Sequence, residues 1–166
     1  MPPELLRRAA VGSTEPTVTR PLPEAVVVLL QDADASPRLA AHLRAVHDVA
    51  CQLSVWLSVA YPGVDFDADA VAFGAATHDI GKAIHPDELS GPGSAHEPDG
   101  YQLLVSAGVA ERLACFARTH AAWGADDATI EDQLVALADK IWKAKRQEDL
   151  EQLLVGRLAA SAHSQP

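Results

Sequence analysis

Residues 77 to 82 read Thr-His-Asp-Ile-Gly-Lys, and this stretch decides how the rest of the chain is interpreted. It sets the imidazole of His78 beside the carboxylate of Asp79. Further candidate ligands occur at intervals that would place one on each successive helix: His47, His96, His120 and Asp139. Imidazole and carboxylate are ligands suited to divalent Mn, Fe, Co or Zn, and a shared carboxylate can bridge two such ions. The pattern therefore predicts a metal centre and a hydrolase that uses it.

The rest of the chain has the signals of a helical protein. Ser36 and Pro37 are typical of an N-cap followed by proline in the first turn, and they open a helix predicted to reach about Ala60. The sequence Tyr-Pro-Gly at 61–63 ends it. The other predicted helices cover residues 23–31, 67–81, 96–106, 109–120, 130–145 and 147–160. No segment of useful length alternates apolar and polar residues as a β-strand does, and no internal repeat is present. The predicted fold is therefore all-α, a single-domain helical bundle.

The candidate ligands are predicted to face the interior of this bundle. His47 shares a helical face with Leu43 and other apolar residues at steps of three and four. The same spacing places His78, His120 and Asp139 on inward faces of three further helices. Four inward-facing ligands on four helices would build a metal site in the core of a bundle.

Length and composition limit the class of protein. The chain has 166 residues, which suits one domain. Its formal net charge of −10 argues against a nucleic-acid partner, which would require a basic face. No apolar stretch is long enough to span a bilayer, and the N-terminus lacks the order of segments that a secretory signal needs. A cytoplasmic protein is therefore expected, with Cys51 and Cys115 as reduced, buried thiols.

Three segments are predicted along the chain. Residues 1–23 contain five prolines and scattered charge, which favours a flexible tail. Residues 24–160 form the helical domain, and residues 161–166 a disordered C-terminal tail.

The ordered ligand set resembles the H…HD…D signature of the HD-domain metal-dependent phosphohydrolase superfamily. The residues that carry this resemblance are His47, His78, Asp79 and Asp139. His96 and His120 resemble the additional pair of the six-ligand subset, which holds two metal ions.

Short motifs extend the likeness over residues 39–146. The segment 78–82 is similar to the HDIGK form common in the superfamily. Segments 96–100 and 138–141 resemble the later motifs of HD-type diadenosine tetraphosphate hydrolases.

The resemblance implies a dinuclear phosphohydrolase in which Asp79 bridges two divalent ions, with Fe, Mn or Co favoured and Zn also suitable. It implies cleavage of a small phosphate ester, with a nucleotide as the leading candidate, by metal-activated hydroxide. Asp79 and Lys82 would be catalytic residues. The cations expected to meet the phosphate are Lys82, Lys143 and Arg146.

Simpler interpretations remain open for individual residues. His47 alone could be a core histidine with its hydrogen bonds satisfied, and Asp139 an exposed acid paired with Lys143. His96 could start a helix at the surface, and Lys82 could be a solvated cation at a helix end. The remaining histidines are interpreted as surface residues: His42, His85 and His163.

Two other functions also remain open. Some six-ligand proteins of this fold are mixed-valent di-iron oxygenases, and the same ligand set serves both chemistries. A non-catalytic module that binds metal or nucleotide is the second alternative. The sequence leaves the substrate, the metal and the formation of a homodimer undetermined.

Overall fold

The computed structural model describes residues 3–12 and 19–163. Within these ranges every regular element is helical and no strand occurs, which confirms the all-α prediction. In chain order the helices are α1 (Pro3–Val11), α2 (Glu24–Asp32), α3 (Pro37–Ala60), α4 (Ala68–Thr77), α5 (His96–Ser106), α6 (Glu111–Ala114), α7 (Phe116–Thr119), α8 (Ile130–Trp142) and α9 (Glu148–His163), with 3-10 helices at Ile80–Ala83 and Pro86–Leu89. None of these helices has the length and hydropathy needed to cross a membrane.

Helix α3 is the central element of the bundle. It begins where the sequence predicts, because the Ser36 hydroxyl accepts a hydrogen bond from the backbone N–H of Leu39 and proline occupies the first turn. Along its 24 residues it packs against α1, α4 and α8, and α4 also packs against α8. One apolar cluster surrounds the first half of α3 and includes Leu30 and Leu43, and a second surrounds the later half. The C-terminal ends of α4 and α8 meet near the first half of α3, where Asp139 Oδ1 lies 3.6 Å from His42 Nε2 and 3.7 Å from His78 Nε2.

The N-terminal segment differs from the predicted flexible tail. Residues 3–11 form helix α1, in which Leu6 is 4% and Ala10 0% exposed. These residues are four apart and share one helical face, so the segment buries an apolar stripe despite its flanking prolines. At the other end α9 continues to His163, past the predicted boundary at residue 160. Residues 1–2, 13–18 and 164–166 of the predicted tails lie outside the described residues.

Helix α8 ends earlier than its sequence pattern indicates. The last helical residue is Trp142, and Ala144 has a φ of 50°, a left-handed conformation that stops the helix. The N–H of Lys145 then donates to the carbonyl of Lys140, closing the turn. A left-handed alanine carries no sequence signal of the kind that a glycine gives, so the predicted helix ran on to residue 145.

The turn after α4 touches the first turn of α5 at a glycine. A Cβ atom on Gly81 would lie 2.0 Å from the carbonyl oxygen of His96 and 2.7 Å from the backbone nitrogen of Gly100. No other residue type permits this approach of two backbones. The contact brings Asp79 and His96 together, with 3.2 Å between the Asp79 Oδ1 and His96 Nε2 atoms.

Gly81→Ala is expected to lower the free energy of unfolding by about 1–3 kcal/mol, because the new methyl group collides with backbone atoms that cannot move aside. Gly156→Ala is the matched control, since a Cβ atom there meets nothing within 4 Å. That control should stabilise α9 by about 0.5–1 kcal/mol. Urea unfolding monitored by circular dichroism measures both changes. Equal midpoints for the two variants would contradict the close approach.

Candidate metal centre

Six side chains from separate elements converge at the centre of the bundle. They come from α3, from the two residues that follow α4, from the start of α5, from the residue after α7, and from α8. They form two groups, and within each group the ligand atoms lie within 4.8 Å of one another. The first group is His42, His78 and Asp139, and the second is Asp79, His96 and His120.

The carboxylate of Asp79, itself a member of the second group, contacts histidines of both groups. Its Oδ2 atom lies 3.2 Å from His42 Nε2 and 3.5 Å from His78 Nε2. Its Oδ1 atom lies 3.2 Å from His96 Nε2 and 3.6 Å from His120 Nε2. One oxygen therefore points to each half of the cluster, as a bridging carboxylate requires.

The second nitrogen of three imidazoles is held by the surrounding protein. With the proton on Nδ1, His78 donates to the Ala75 carbonyl at 3.0 Å, and His120 donates to a carbonyl one turn earlier at 3.2 Å. His96 Nδ1 donates to the carboxylate of Glu88. Such contacts fix the ring orientation and leave the Nε2 lone pair free to coordinate a metal.

Several buried atoms of the cluster lack a hydrogen-bond partner among the described residues. They are His42 Nε2, His78 Nε2, His96 Nε2 and Asp139 Oδ1. A buried polar atom without a partner costs about 1–3 kcal/mol. These four atoms point into one cluster, and all belong to donor types that bind divalent transition metals. The residues present therefore fit a metal centre.

Both carboxylates are held in the ionised form. Burial raises the pKa of Asp79, but the charge of His78 and the close imidazoles of His42 and His96 outweigh it and lower the pKa well below its usual range. For Asp139 burial also raises the pKa, and contacts with His78 and Lys143 lower it further than burial raises it.

The imidazoles fall into two electrostatic kinds. Burial lowers the pKa of His120 to about 3, assisted by the charge of His78, so this ring is neutral over the ordinary pH range. The pKa of His78 is raised, because Asp79 and Asp139 together outweigh the effect of burial. His96 also has a raised pKa, because Asp79 and Glu88 outweigh burial there.

Two lysines neutralise the two carboxylates. Lys82 Nζ lies 2.6 Å from Asp79 Oδ2, and Lys143 Nζ lies 2.7 Å from Asp139 Oδ2. Both lysines line a cavity of about 430 Å³ whose wall includes one residue of each group, His42 and Asp79. The other residues of its wall are Arg38, Ala41, His42, Asp79, Leu89 and Trp142.

The structure places five of the six sequence-predicted ligands in the cluster and leaves out His47. His47 is buried, but it contacts Cys51, with 3.6 Å between Nε2 and Sγ, and lines a separate cavity of about 650 Å³. Five residues along a helix correspond to a rotation of about 140°, so His47 and His42 leave α3 in different directions. His42, which was predicted to lie at the surface, takes in this cluster the place predicted for His47.

Arg146 does not reach the centre either. It lies beyond the end of α8 and pairs with Glu151, and its side chain is 79% exposed. Had α8 continued to residue 145, Arg146 would follow Asp139 on the same face. Because the chain leaves the helix after Trp142, only Lys143 lies beside the cluster.

Sequence reasoning also missed two supporting residues. Arg38 lies one turn before His42 on α3 and lines the cavity, a spacing that identifies it once His42 is recognised. Glu88 contacts His96 from a loop, and no spacing rule indicates that contact. His85 pairs with Asp99 at 2.6 Å and does not line the cavity. The side chain of His163 lies outside the described part of the structure.

A family comparison agrees with this geometry. The family model described as HD domain matches residues 39–142, a range that contains all six clustered side chains. The chain belongs to the HD domain family. Members of this family are typically metal-dependent phosphohydrolases. Comparison with curated proteins and with solved structures gives no match.

If His42 coordinates metal, His42→Gln is expected to weaken metal binding by more than the roughly 10–100-fold that loss of an outer-shell partner causes, because it removes one imidazole of the first group. His47→Gln should leave the metal content unchanged, since His47 lies outside the cluster. Elemental analysis after dialysis against limiting metal measures both variants. Loss of metal from His47→Gln with retention in His42→Gln would reverse the assignment.

Metal affinity should rise with pH through the range above 6.5, the ordinary pKa of histidine. Coordination requires neutral imidazoles, and the pKa values of His78 and His96 are raised above 6.5. Protons therefore compete with metal below those raised values and are released when metal binds. His120, with its pKa of about 3, should release none near neutrality. Calorimetry in buffers of different protonation enthalpy counts the released protons, and affinity that is constant from about pH 6 to 8 would contradict the scheme.

Proposed function

We propose that this HD domain protein is a phosphohydrolase that uses two divalent metal ions to cleave a small phosphate ester, with a nucleotide as the leading candidate. The observation that supports it best is the carboxylate of Asp79, whose two oxygens face two separate groups of ligands. The proposed ligands are His42, His78, Asp79, His96, His120 and Asp139. Iron, manganese and cobalt suit this mixture of imidazole and carboxylate, and zinc is also suitable.

The cavity beside the centre supports an anionic substrate. Arg38, Lys82 and Lys143 contribute three cations to its wall. Guanidinium and ammonium groups form charge-assisted hydrogen bonds with phosphate oxygens. A phosphoryl group placed between these cations would lie beside Asp79 and so next to the metal centre.

The apolar part of the cavity wall is evidence for a substrate of nucleotide size. Trp142 is 50% exposed and, with Leu89, offers an apolar surface beside the three cations. An indole ring can stack on a nucleobase. The volume of about 430 Å³ lies at the lower end of small-molecule sites, which favours one nucleotide over a dinucleoside polyphosphate.

The reaction is in-line attack of water on phosphorus, with cleavage of the P–O ester bond and release of the alcohol. Two divalent ions, held by the proposed ligands, would lower the pKa of water and stabilise charge on the phosphoryl oxygens. The residues of the chain hold and orient the phosphate. Lys82 Nζ lies 2.6 Å from Asp79 Oδ2 and orients that carboxylate, and its remaining N–H bonds can donate to the phosphate. Arg38 is anchored by its hydrogen bond to Ser90, 2.8 Å, which directs its guanidinium along the cavity wall.

Phosphate release from a panel of nucleotides and phosphate monoesters, with protein loaded with Mn, Co or Fe, tests the proposal. The parent should turn over at least one member, and Asp79→Ala should lose activity and metal together. Lys82→Ala should keep both ions but lower kcat by about 10²–10³, the usual cost of one electrostatic contact to the reacting group.

Arg146→Ala is the matched cation control, because Arg146 pairs with Glu151 away from the cavity. It should behave as the parent in the same assay. Iron-loaded protein that consumes dioxygen and releases no phosphate would contradict the proposal and favour the oxygenase alternative. Full turnover by Asp79→Ala would exclude Asp79 as the bridging ligand.

A further inference from the structure

We infer that Glu88 is a positioning residue for the second group of ligands (Asp79, His96 and His120), the second half of the metal centre. The ion in the first group would be held by packed helices, and the ion in the second group would depend on the loop that carries Glu88. This inference rests on the proposed dinuclear centre. Glu88 belongs to the 3-10 helix Pro86–Leu89, in the loop that precedes α5.

The carboxylate of Glu88 accepts three hydrogen bonds at the start of α5. Its Oε2 atom accepts from the Nδ1–H of His96 at 2.5 Å and from the His96 backbone N–H at 3.2 Å. Its Oε1 atom accepts from the backbone N–H of Ala95 at 3.2 Å. The N-cap position of α5 is Ala95, which has no side-chain acceptor, so Glu88 supplies the missing cap from a distance. The same contact that caps the helix therefore orients the His96 ring.

The loop is shaped to hold this carboxylate. Gly93 has a φ of +154°, and a Cβ atom at that position would lie 2.3 Å from Glu88 Oε1. The side chain of Glu88 is only 13% exposed even though it lies in a loop. A glycine at 93 thus leaves room for Glu88 to reach the start of α5.

The first half of the centre does not use this loop. His42, His78 and Asp139 extend from α3, from the end of α4 and from α8, which pack directly against one another. His78 is oriented by the carbonyl of Ala75, one turn earlier in its own helix. No contact from residues 85–95 orients any of these three ligands in the described structure. The ion held there should therefore be insensitive to Glu88.

The second half depends on segments with less support. His96 is the first residue of α5, and His120 follows α7, a helix of four residues. His120 is tethered through its neighbour Thr119, whose hydroxyl donates to Asp132 on α8 at 2.6 Å. For His96 the carboxylate of Glu88 is the corresponding tether. A carboxylate that accepts the second N–H of a ligand histidine fixes its ring and makes the other nitrogen a better donor.

Titration of the metal-free full-length chain with Co²⁺ tests the inference, with affinity read by calorimetry and ligand geometry by the visible absorption of the bound ion. The parent should bind two ions in two steps. His120→Ala should remove the second step and so identify it. Glu88→Gln should weaken that step by about 10–100-fold and leave the first unchanged, because glutamine keeps an acceptor for the helix cap but loses the charge.

Asp87→Asn is the matched control, since it removes an exposed charge from the same 3-10 helix and should change neither step. Thermal unfolding of the metal-free variants separates a loss of fold from a loss of positioning. Glu88→Gln that binds both ions with parental affinity, or that weakens both equally, would overturn the inference. A parent that binds fewer than two ions would overturn the dinuclear centre itself, and the parent titration alone reports that result.

Discussion

The burial of one carboxylate governs the arrangement of this bundle. Asp79 is 2% exposed and carries a full charge, since the surrounding groups lower its pKa well below the usual range. A buried charge costs several kcal/mol unless it is paired and hydrogen-bonded. The required partners come from α3, from the residue after α4, from the 3-10 helix that follows it, from α5 and from the residue after α7. These elements therefore meet at Asp79, and the apolar clusters around the two halves of α3 hold them there.

Much of this arrangement follows from short local signals. Ser36 caps α3, Asp67 caps α4, and Thr129 with Asp132 forms a capping box on α8, so the sequence indicates where each of these helices begins. The pair His78–Asp79 falls where α4 ends, and Gly81 lets the chain turn closely against α5. Helix starts and the paired ligands were thus accessible from the sequence because each depends on residues close together in the chain.

The errors arise where the answer depends on distant parts of the chain. Periodicity correctly indicates that His47 is buried, but α3 has apolar clusters along both halves, and periodicity does not say which buried face meets α4 and α8. His42 is less buried because it borders the cavity, and so it resembles a surface residue in sequence. Arg146 was misplaced because the left-handed turn at Ala144 ends α8 early. The role of Glu88 depends on a loop that folds back on α5.

The charges of the centre reconcile an acidic protein with an anionic substrate. The whole chain carries a formal net charge of −10, which on its own would repel a phosphate ester. At the centre, however, Lys82 and Lys143 balance the negative charges of the two ionised carboxylates even without a metal ion. Two bound dications would leave this region strongly positive, with Arg38 adding a further charge at the cavity wall. Charges elsewhere on the surface are screened over about 8–10 Å at physiological ionic strength, so the field inside the cavity is set by the groups that line it. An acidic exterior is therefore compatible with phosphate binding, provided that the ions are present.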